Sequence, residues 1–367
     1  MVSQPDPPQR IARLTPLAGV LARIDELVAP VAPRHVAASS ALGHTAAGDC
    51  VFPAVPSSAI ALRDGWAVRA DLTSDASSYA PVPLLPDATP IDVGEPLPAG
   101  ADAVAPADLV VLRDGRVELI GPVAAGDGVL PKGADTDRGR PIVREGQRVG
   151  RPQVAALAAA GVAELLVCAP RVRVVPVRRD PVIHAAADFV AGDIGVAGGL
   201  LDEMALDAAL ADAGVDAVVV VGGTGSGRHD ASVTALARVG RVEAHGIALA
   251  PGETAAFGMV GSRPILLLPG RLDAALAVWL VIGRWLMARL CSSVGPEPAT
   301  RAKLARKVTS TLGLAEVIPV RLHGGTAEPI ASGYVPFSAL AQADGWLLVP
   351  ADSEGYPPGT EVVVRPL

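Results

Sequence analysis

One stretch of the chain indicates the fold: VVVVGGTGSGRHD, residues 218–230. Four consecutive valines are apolar and β-branched, which favours a strand buried on both faces of a sheet. The strand leads directly into a loop with four glycines in six positions. Glycine lets backbone N–H groups turn toward one point, and open α/β sheets bind ligands in the loops at the carboxyl ends of their strands. The stretch therefore predicts a binding loop, with a tight strand-exit turn as the alternative.

The sequence around this loop alternates between strand and helix signals. Apolar β-branched runs predict strands over residues 172–177, 217–221 and 264–268, and apolar spacing predicts helices over residues 200–213 and 272–290. Strands that alternate with helices favour a parallel sheet covered on both faces. We therefore predict a doubly wound, mostly parallel α/β domain in this part of the chain.

The first part of the chain has a different composition. Apolar residues at three- and four-residue spacing predict a helix over residues 17–28. From residue 31 to 123 prolines recur too often for long helices, which favours short strands and loops. Pro152 suits the start and Gly161 the end of a short helix over residues 152–160. This region is therefore predicted to be a β-rich insertion with a helix on either side.

Strand signals return and helix signals fade after a predicted linker at residues 295–300. The C-terminal strands are predicted at residues 317–322, 345–349 and 362–364. The whole chain thus reads as a multidomain α/β plus β protein. Its predicted domains are a discontinuous N-terminal linker domain (1–45 and 125–165), a β-rich insertion domain (46–124), the α/β domain (166–295) and a small C-terminal β domain (296–367).

Composition excludes several classes of partner. A net charge of −7 and an aromatic content of 3% argue against nucleic acid. The best candidate for a membrane segment is the apolar run of ten residues at 274–283, whereas a span needs about 20, so no membrane partner is expected. Three distant cysteines fit no metal spacing, and the N-terminus shows no signal peptide. A cytoplasmic location is the prediction.

Four further segments place polar residues in glycine- and proline-rich loops. They are RDGWAV (63–68), GEPLPAGADAV (94–104), GADTDR (133–138) and LLPGR (267–271). In isolation each of the first three is predicted to be a turn, which is the usual role of Asp-Gly and Pro-Gly sequences. In the fourth, a strand leads into a helix whose N-terminus could hold an anion, with Arg271 adding charge. A helix start with a surface arginine is the alternative.

These segments occur in an order that resembles the molybdopterin molybdenumtransferase family, the MoeA and gephyrin E-domain type. Residues 63–68 resemble its M-D-G-Y-A-V segment, and residues 94–104 its T-G-A-P-L-P-x-G-A-D-A-V loop. Residues 222–230 are similar to G-G-V-S-V-G-x-x-D, and residues 268–270 to the start of L-P-G-N-P. Residues 341–345, AQADG, resemble a C-terminal A-Q-A-N-G segment. The resemblance extends over nearly the whole chain.

The resemblance implies a function in molybdenum cofactor biosynthesis. Family members bind adenylyl-molybdopterin and molybdate, cleave the adenylate in a Mg²⁺-dependent step, and insert the metal into molybdopterin as homodimers. By position, Asp64, Asp135 and Asp230 would be the catalytic carboxylates, with Asp64 and Asp230 as Mg²⁺ ligands. The residues implied to bind the pterin phosphate cofactor are Gly222, Gly223, Thr224, Gly225, Ser226, Gly227, Pro269, Gly270 and Arg271. A molybdoenzyme client is a further implied partner.

The chain also departs from the family pattern at charged positions. Arg178 and Arg179 stand near the place of the family's T-G-D-E-L segment, whose glutamate has no counterpart here. Ala250 and Glu253 replace both lysines of K-P-G-K-P, and a carboxylate cannot take the phosphate-binding role of a cation. We hypothesise that Arg178, Arg179 or Arg271 supplies the missing positive charge.

These departures leave three alternatives open. The chain is an enzyme that inserts molybdenum into molybdopterin, or it is a catalytically degenerate paralogue. The paralogue would bind molybdopterin or the finished cofactor as a chaperone or regulatory partner. The third alternative is a structural partner of a true family member, without a ligand.

Overall fold

A computed structural model describes residues 9–84, 88–113, 116–137, 139–195, 199–201, 204–292 and 299–367. The chain folds into two compact units. The larger unit consists of Met1–Gly48, Glu145–Gly150 and Leu166–Leu367, and the smaller unit of Asp49–Arg144 and Arg151–Leu165. The predicted division into four domains remains a prediction.

The structure contains the predicted helices and strands, apart from the first part of the helix predicted at 200–213, and further elements that were not predicted, including the helices Pro181–Ile194 and Ser232–Val239. The helices are α1 Leu17–Leu27, α2 Arg151–Ala159, α3 Pro181–Ile194, α4 Leu206–Ala211, α5 Ser232–Val239, α6 Leu272–Val278, α7 Arg284–Leu290 and α8 Phe337–Leu340. The strands are β1 Thr15–Pro16, β2 Arg34–Ala37, β3 Thr45–Ala46, β4 Ile60–Ala61, β5 Gly65–Val68, β6 Val82–Pro83, β7 Thr89–Ile91, β8 Ala103–Pro106, β9 Val110–Arg113, β10 Arg116–Leu119, β11 Val129–Leu130, β12 Glu164–Cys168, β13 Val172–Pro176, β14 Gly199–Leu201, β15 Ala217–Val221, β16 Arg241–His245, β17 Ile247–Ala250, β18 Ala256–Val260, β19 Arg263–Leu268, β20 Thr300–Leu304, β21 Val308–Thr309, β22 Ala315–His323, β23 Thr326–Pro329, β24 Gly345–Val349, β25 Gly355–Tyr356 and β26 Glu361–Pro366.

A six-stranded sheet forms the centre of the α/β region. Its strand order is β14-β13-β15-β19-β18-β16, with the first four strands parallel and the last two antiparallel. Side chains alternate between the two faces, so Val219 and Val221 belong to one apolar core and Val218 and Val220 to another. This arrangement confirms the predicted sheet, doubly wound and mostly parallel, with core on both faces.

Helix α3 begins directly after the first strand of this region. Asp180 caps it, because its Oδ1 accepts hydrogen bonds from the N–H groups of Val182 (2.9 Å) and Ile183 (3.2 Å). Pro181 occupies the first turn, where its missing N–H costs nothing. The cap fixes residues 178–180 at the carboxyl end of β13, beside the glycine-rich stretch.

The predicted helix at 272–290 is confirmed as one continuous helical segment with a π-helical turn at its centre. The turn spans Trp279–Gly283, between α6 and α7, and all of its residues are buried. A Cβ at Gly283 would overlap the ring of Trp279. Glycine at this position therefore lets the large ring pack against the helix backbone.

The predicted helix at 200–213 is wrong in its first part. Leu200 and Leu201 lie in strand β14 and pair in parallel with Arg173 and Val174. The helix of this segment, α4, begins only at Leu206. Pairing with the neighbouring strand outweighs the weak intrinsic helix propensity of the leucines.

The C-terminal sheet includes two strands from earlier in the chain. Its order is β1-β17-β22-β23-β20-β26-β24, and an additional β22–β24 pairing closes the last five strands on themselves. The closed strands enclose an apolar core of their own. The three predicted C-terminal strands are confirmed as β22, β24 and β26. The predicted linker at 295–300 lies outside the described residues up to residue 298.

The smaller unit is built mostly of short strands and loops, as its prolines predict, together with helix α2. Strands β7, β5 and β8 form one antiparallel sheet, and β6, β10 and β9 form another. Across the described ranges of the whole chain, no helix is long and apolar enough to cross a bilayer.

Candidate functional site

Three loops meet at the carboxyl edge of the central sheet. The stretch 222–230, called here the glycine loop, follows β15, and residues 269–271 follow β19. The N–H of Gly222 donates to the carbonyl of Leu268 at 2.9 Å, and a Cβ at Gly270 would lie 3.7 Å from the Cα of Gly222. The N–H of Val177, after β13, donates to the carbonyl of Val221 at 3.1 Å. The predicted binding segments 222–230 and 267–271 are therefore brought together.

The first two glycines of the loop are required by its shape. Gly222 has φ 98° and Gly223 has φ 72°, a region that other residues rarely adopt. A Cβ at Gly223 would lie 2.5 Å from the hydroxyl of Ser232, and one at Gly222 would lie 2.9 Å from Val177. The strand therefore turns sharply against its neighbours at this point.

Replacing Gly223 with alanine is expected to lower the free energy of unfolding by about 2 kcal/mol, because left-handed strain and a close contact act together. Gly261→Ala is the matched control, since Gly261 has φ 62° and open space around its Cβ. The control carries the strain alone, and we expect a loss of about 1 kcal/mol. Urea unfolding measures both values. Equal losses in the two variants would show that Ser232 does not confine the loop.

Side chains from outside the glycine loop hold its backbone. The hydroxyl of Ser232 donates to the carbonyl of Gly222 at 2.8 Å. The hydroxyls of Thr224 and Thr254 lie 3.1 Å apart, and Thr224 is 1% exposed. The loop is therefore a fixed element rather than an open surface turn.

Asp230 closes the glycine loop and pairs with an arginine. Its Oδ2 accepts the N–H of Gly227 at 3.1 Å, and its Oδ1 accepts Nη2 of Arg178 at 2.8 Å. The same Nη2 donates to the carbonyl of His229 at 3.0 Å. The side chains of Asp230 and Arg178 are 20% and 45% exposed. Arg178 thus neutralises the carboxylate at the mouth of the loop.

These contacts give Asp230 the environment of a paired carboxylate. Its charge is balanced by Arg178, which weakens its attraction for a Mg²⁺ ion, a cation that prefers carboxylate oxygens and water. The catalytic and metal-binding roles of Asp230 remain predictions. Among the residues that the structure describes, no group of three or more His, Cys, Asp or Glu side chains could hold a metal.

Arg271, in the loop after β19, is also paired. Its Nε and Nη2 bind the buried carboxylate of Asp273 at 3.1 and 2.5 Å, and its guanidinium lies 5.1 Å from the ring centre of Tyr334. The hydrogen bond with Asp273 raises the pKa of Arg271, and the charge of Glu253 contributes to the same shift. The N–H of Val335 donates to Asp273 at 3.1 Å. Asp273 therefore joins Arg271 to the loop that precedes α8.

The other two predicted carboxylates belong to the smaller unit. Oδ1 of Asp64 accepts the N–H of Val93 at 2.8 Å, and the pairing of β5 with β8 joins the predicted segments 63–68 and 94–104. Asp135 is exposed, and its N–H donates to the carbonyl of Val55 at 3.0 Å. Both contacts are those of turns. The catalytic roles of Asp64 and Asp135, and the metal-binding role of Asp64, remain predictions.

Comparison with protein families matches most of the chain to known domains. The MoeA N-terminal region (domain I and II) matches residues 15–161, and the MoeA C-terminal region (domain IV) matches residues 301–367. These two regions together cover more than half of the chain. The chain belongs to the MoeA family. Between them, residues 201–288, which include the glycine loop, match a domain described as a probable molybdopterin binding domain.

Individual relatives agree with the family. A Methanocaldococcus jannaschii protein named for molybdopterin biosynthesis is 24% identical over 83% of this chain and 84% of its own length. Molybdopterin molybdenumtransferase 1 of Mycobacterium tuberculosis is 28% identical over 72% of this chain and 70% of its own length. A crystal structure of a Pyrococcus horikoshii molybdopterin biosynthesis MoeA protein has a TM-score of 0.72 and 28% identity, covering 96% of this chain and 99% of that one. The MoeA-like fold is thereby confirmed.

The MoeA patterns contain no signal for the residues that fix the glycine loop. Ser232 and Thr254 lie outside the conspicuous motifs, and Gln9 lies in the proline-rich leader, ahead of the matched region. Gln9 and His245 nevertheless bind loop carbonyls. Sequence reasoning missed all four residues, because nothing local marks a partner that is distant in the chain.

Proposed function

We propose that this chain acts in molybdenum cofactor biosynthesis as a molybdopterin molybdenumtransferase. It would bind the phosphate of molybdopterin or adenylyl-molybdopterin in the glycine loop. One observation carries the proposal: within the described residues, the N–H groups of Thr224, Gly225 and Ser226 have no acceptor, although the loop around them is fixed. Successive unpaired N–H groups in a glycine-rich turn form an anion-binding concavity.

Arg178 complements these donors. Its Nη2 is held by Asp230 and the carbonyl of His229, while Nε and Nη1 have no acceptor among the described residues. A guanidinium held in a fixed orientation presents its remaining N–H donors and its charge to an anion. We therefore assign Arg178 to the phosphate and Asp230 to holding Arg178 in place. Pro269, Gly270 and Arg271 would form the adjoining wall.

The Mg²⁺-dependent cleavage of the adenylate is a further prediction from the resemblance. The contacts of Asp230 fit a neutralised carboxylate, so no step of the proposed chemistry passes through Mg²⁺. A homodimer, a molybdoenzyme client, molybdate as the second substrate and a cytoplasmic location likewise remain predictions.

A second candidate function is binding without turnover. Asp230 is paired with Arg178, and Glu253 stands where the family pattern has a lysine. Both features argue against catalysis, and neither changes the glycine loop that would bind the ligand. A degenerate paralogue that carries molybdopterin or the finished cofactor as a chaperone or regulatory partner would have these features.

Release of AMP from adenylyl-molybdopterin separates the two functions. If the chain is a transferase, AMP release is expected to depend on molybdate, and assays with Mg²⁺ and with EDTA test the metal requirement. Binding of molybdopterin without AMP release would support the second candidate. Ligand binding to the folded state must raise the melting temperature by mass action, so the absence of a thermal shift with molybdopterin and with its adenylate would refute both.

A further inference from the structure

Gln9 reaches the glycine loop from the other end of the chain. Gln9 is 7% exposed, and its side-chain amide donates from Nε2 to the carbonyls of Gly223 (3.0 Å) and Gly225 (2.9 Å). Its Oε1 accepts the N–H of Thr234 at 2.9 Å, in the first turn of α5. Both amide hydrogens and the amide oxygen are thereby used, at a separation of more than 200 residues.

His245 holds the carbonyl that lies between these two. Its Nε2 is 3.0 Å from the carbonyl of Thr224. A carbonyl oxygen can only accept a hydrogen bond, so Nε2 must carry the proton. His245 is the last residue of β16, which fixes its approach to the loop. Three consecutive carbonyls, from Gly223 to Gly225, are therefore bound by two side chains.

Because the peptide bond is planar, the contacts of Gln9 with loop carbonyls also set the direction of loop N–H groups. In a trans peptide the carbonyl of one residue and the N–H of the next point in opposite directions. The carbonyls of Gly223 and Gly225 point to Gln9, so the N–H groups of Thr224 and Ser226 point away from it. These N–H groups are donors that the proposed function assigns to the phosphate.

The segment that carries Gln9 is built into the fold. Thr15 and Pro16 pair in parallel with Ile247 and Ala248. A Cβ at Gly246 would overlap the side chain of Ile11, so this backbone passes close to the segment. The position of Gln9 is thus fixed by strand pairing and packing on its C-terminal side.

We propose that Gln9 is a positioning residue of the phosphate site. It holds the carbonyls of Gly223 and Gly225 so that the N–H groups of the same two peptides, those of Thr224 and Ser226, face the ligand. This role of Gln9 rests on the proposed function for the identity of the ligand. Gln9 itself lies ahead of residue 15, where the match to the MoeA N-terminal region begins. His245 holds the carbonyl of Thr224 in the same way and so orients the N–H of Gly225.

A Gln9→Glu variant tests this role with almost no change of shape. The carboxylate keeps an acceptor for Thr234 and places a second oxygen against the carbonyls of Gly223 and Gly225. Two donated hydrogen bonds are lost, and we expect the dissociation constant for molybdopterin to rise at least about tenfold. In the AMP assay KM should rise while kcat stays within about twofold, because the loop binds the ground state and the transition state alike. Arg10→Ala, at the exposed neighbouring position, should match the wild type.

Amide NMR of the protein without ligand separates this proposal from the proposed function. The resonances of Thr224, Gly225 and Ser226 are expected to shift in Gln9→Glu and to stay in place in Arg10→Ala. Gln9→Ala, which lacks the added charge, should shift them in the same way if Gln9→Glu fails to fold. Unchanged resonances, or an unchanged dissociation constant, would overturn the role of Gln9. Shifted resonances in a protein that binds no molybdopterin would support the role of Gln9 and refute the proposed ligand.

Discussion

Replacing Arg178 with alanine is expected to weaken molybdopterin binding by roughly ten- to a hundredfold. The variant loses hydrogen bonds to a charged ligand, which contribute about 1.5–3 kcal/mol. It also leaves the carboxylate of Asp230, now without its partner, beside an anionic phosphate. Isothermal titration with molybdopterin measures the change. Arg178→Lys should bind with intermediate affinity, because it keeps the charge and loses the planar fork.

Arg228→Ala is the matched control for this variant. Arg228 lies in the same loop, is exposed, and has no partner among the described residues, so its removal changes the net charge equally. We expect its affinity to stay within about threefold of the wild type, since an unfixed surface charge contributes little. Equal losses in the two variants would show that the general charge of the loop matters and that the pair with Asp230 does not.

The effect of Mg²⁺ on molybdopterin affinity is a second test of the pair formed by Arg178 and Asp230. The wild-type affinity for molybdopterin is expected to be the same in Mg²⁺ and in EDTA, because Arg178 already balances the charge of Asp230. In Arg178→Ala that counter-charge is lost, and a carboxylate together with a phosphate suits Mg²⁺. That variant should therefore regain affinity when Mg²⁺ is added. A strong Mg²⁺ dependence of the wild type would contradict this account of Asp230.

Local sequence signals predicted the parts of the fold that depend on neighbouring residues. The valine run before Gly222, and Pro152 together with Gly161, each predicted a strand or helix to within a residue or two of its observed bounds. Leu200 and Leu201 were assigned to a helix, because their strand exists only through pairing with β13. A pattern of residues in one segment holds no information about the segment beside it.

The candidate site also has parts that local sequence predicts and parts that depend on residues distant in the chain. The glycines of the loop were predicted from the sequence, since their chemistry is local. The pairing of Arg178 with Asp230 and the reach of Gln9 to Gly223 join residues 52 and 214 positions apart. An arginine in the place of the family's T-G-D-E-L segment indicated a change of charge, but only the structure shows that this charge is paired with Asp230.

A second large effect is expected on stability, at the contact between α3 and the helical segment 272–290. Asp193 accepts Nε and Nη2 of Arg284 at 2.9 and 3.0 Å and Nε1 of Trp279 at 2.7 Å. The side chains of Asp193 and Arg284 are only 23% and 18% exposed. Asp193→Asn removes the carboxylate charge that Arg284 contacts, and we expect the free energy of unfolding to fall by about 3 kcal/mol at pH 7. Asp25→Asn, which affects the exposed Trp285 contact on the same segment, should lose less than about 0.5 kcal/mol.

The pH dependence of this loss identifies its cause. Burial by itself would raise the pKa of Asp193, but the hydrogen bonds and charge of Arg284, with the indole N–H of Trp279, outweigh it and hold the pKa below its usual range. A carboxyl group with a lowered pKa in the folded state stabilises the protein above its unfolded pKa, about 4. That contribution disappears as the pH falls through the folded pKa. The difference in urea-unfolding free energy between wild type and Asp193→Asn should therefore be full at pH 7 and smaller at pH 3. An equal difference at both pH values would mean that packing, and not the charge of Asp193, holds the two helices together.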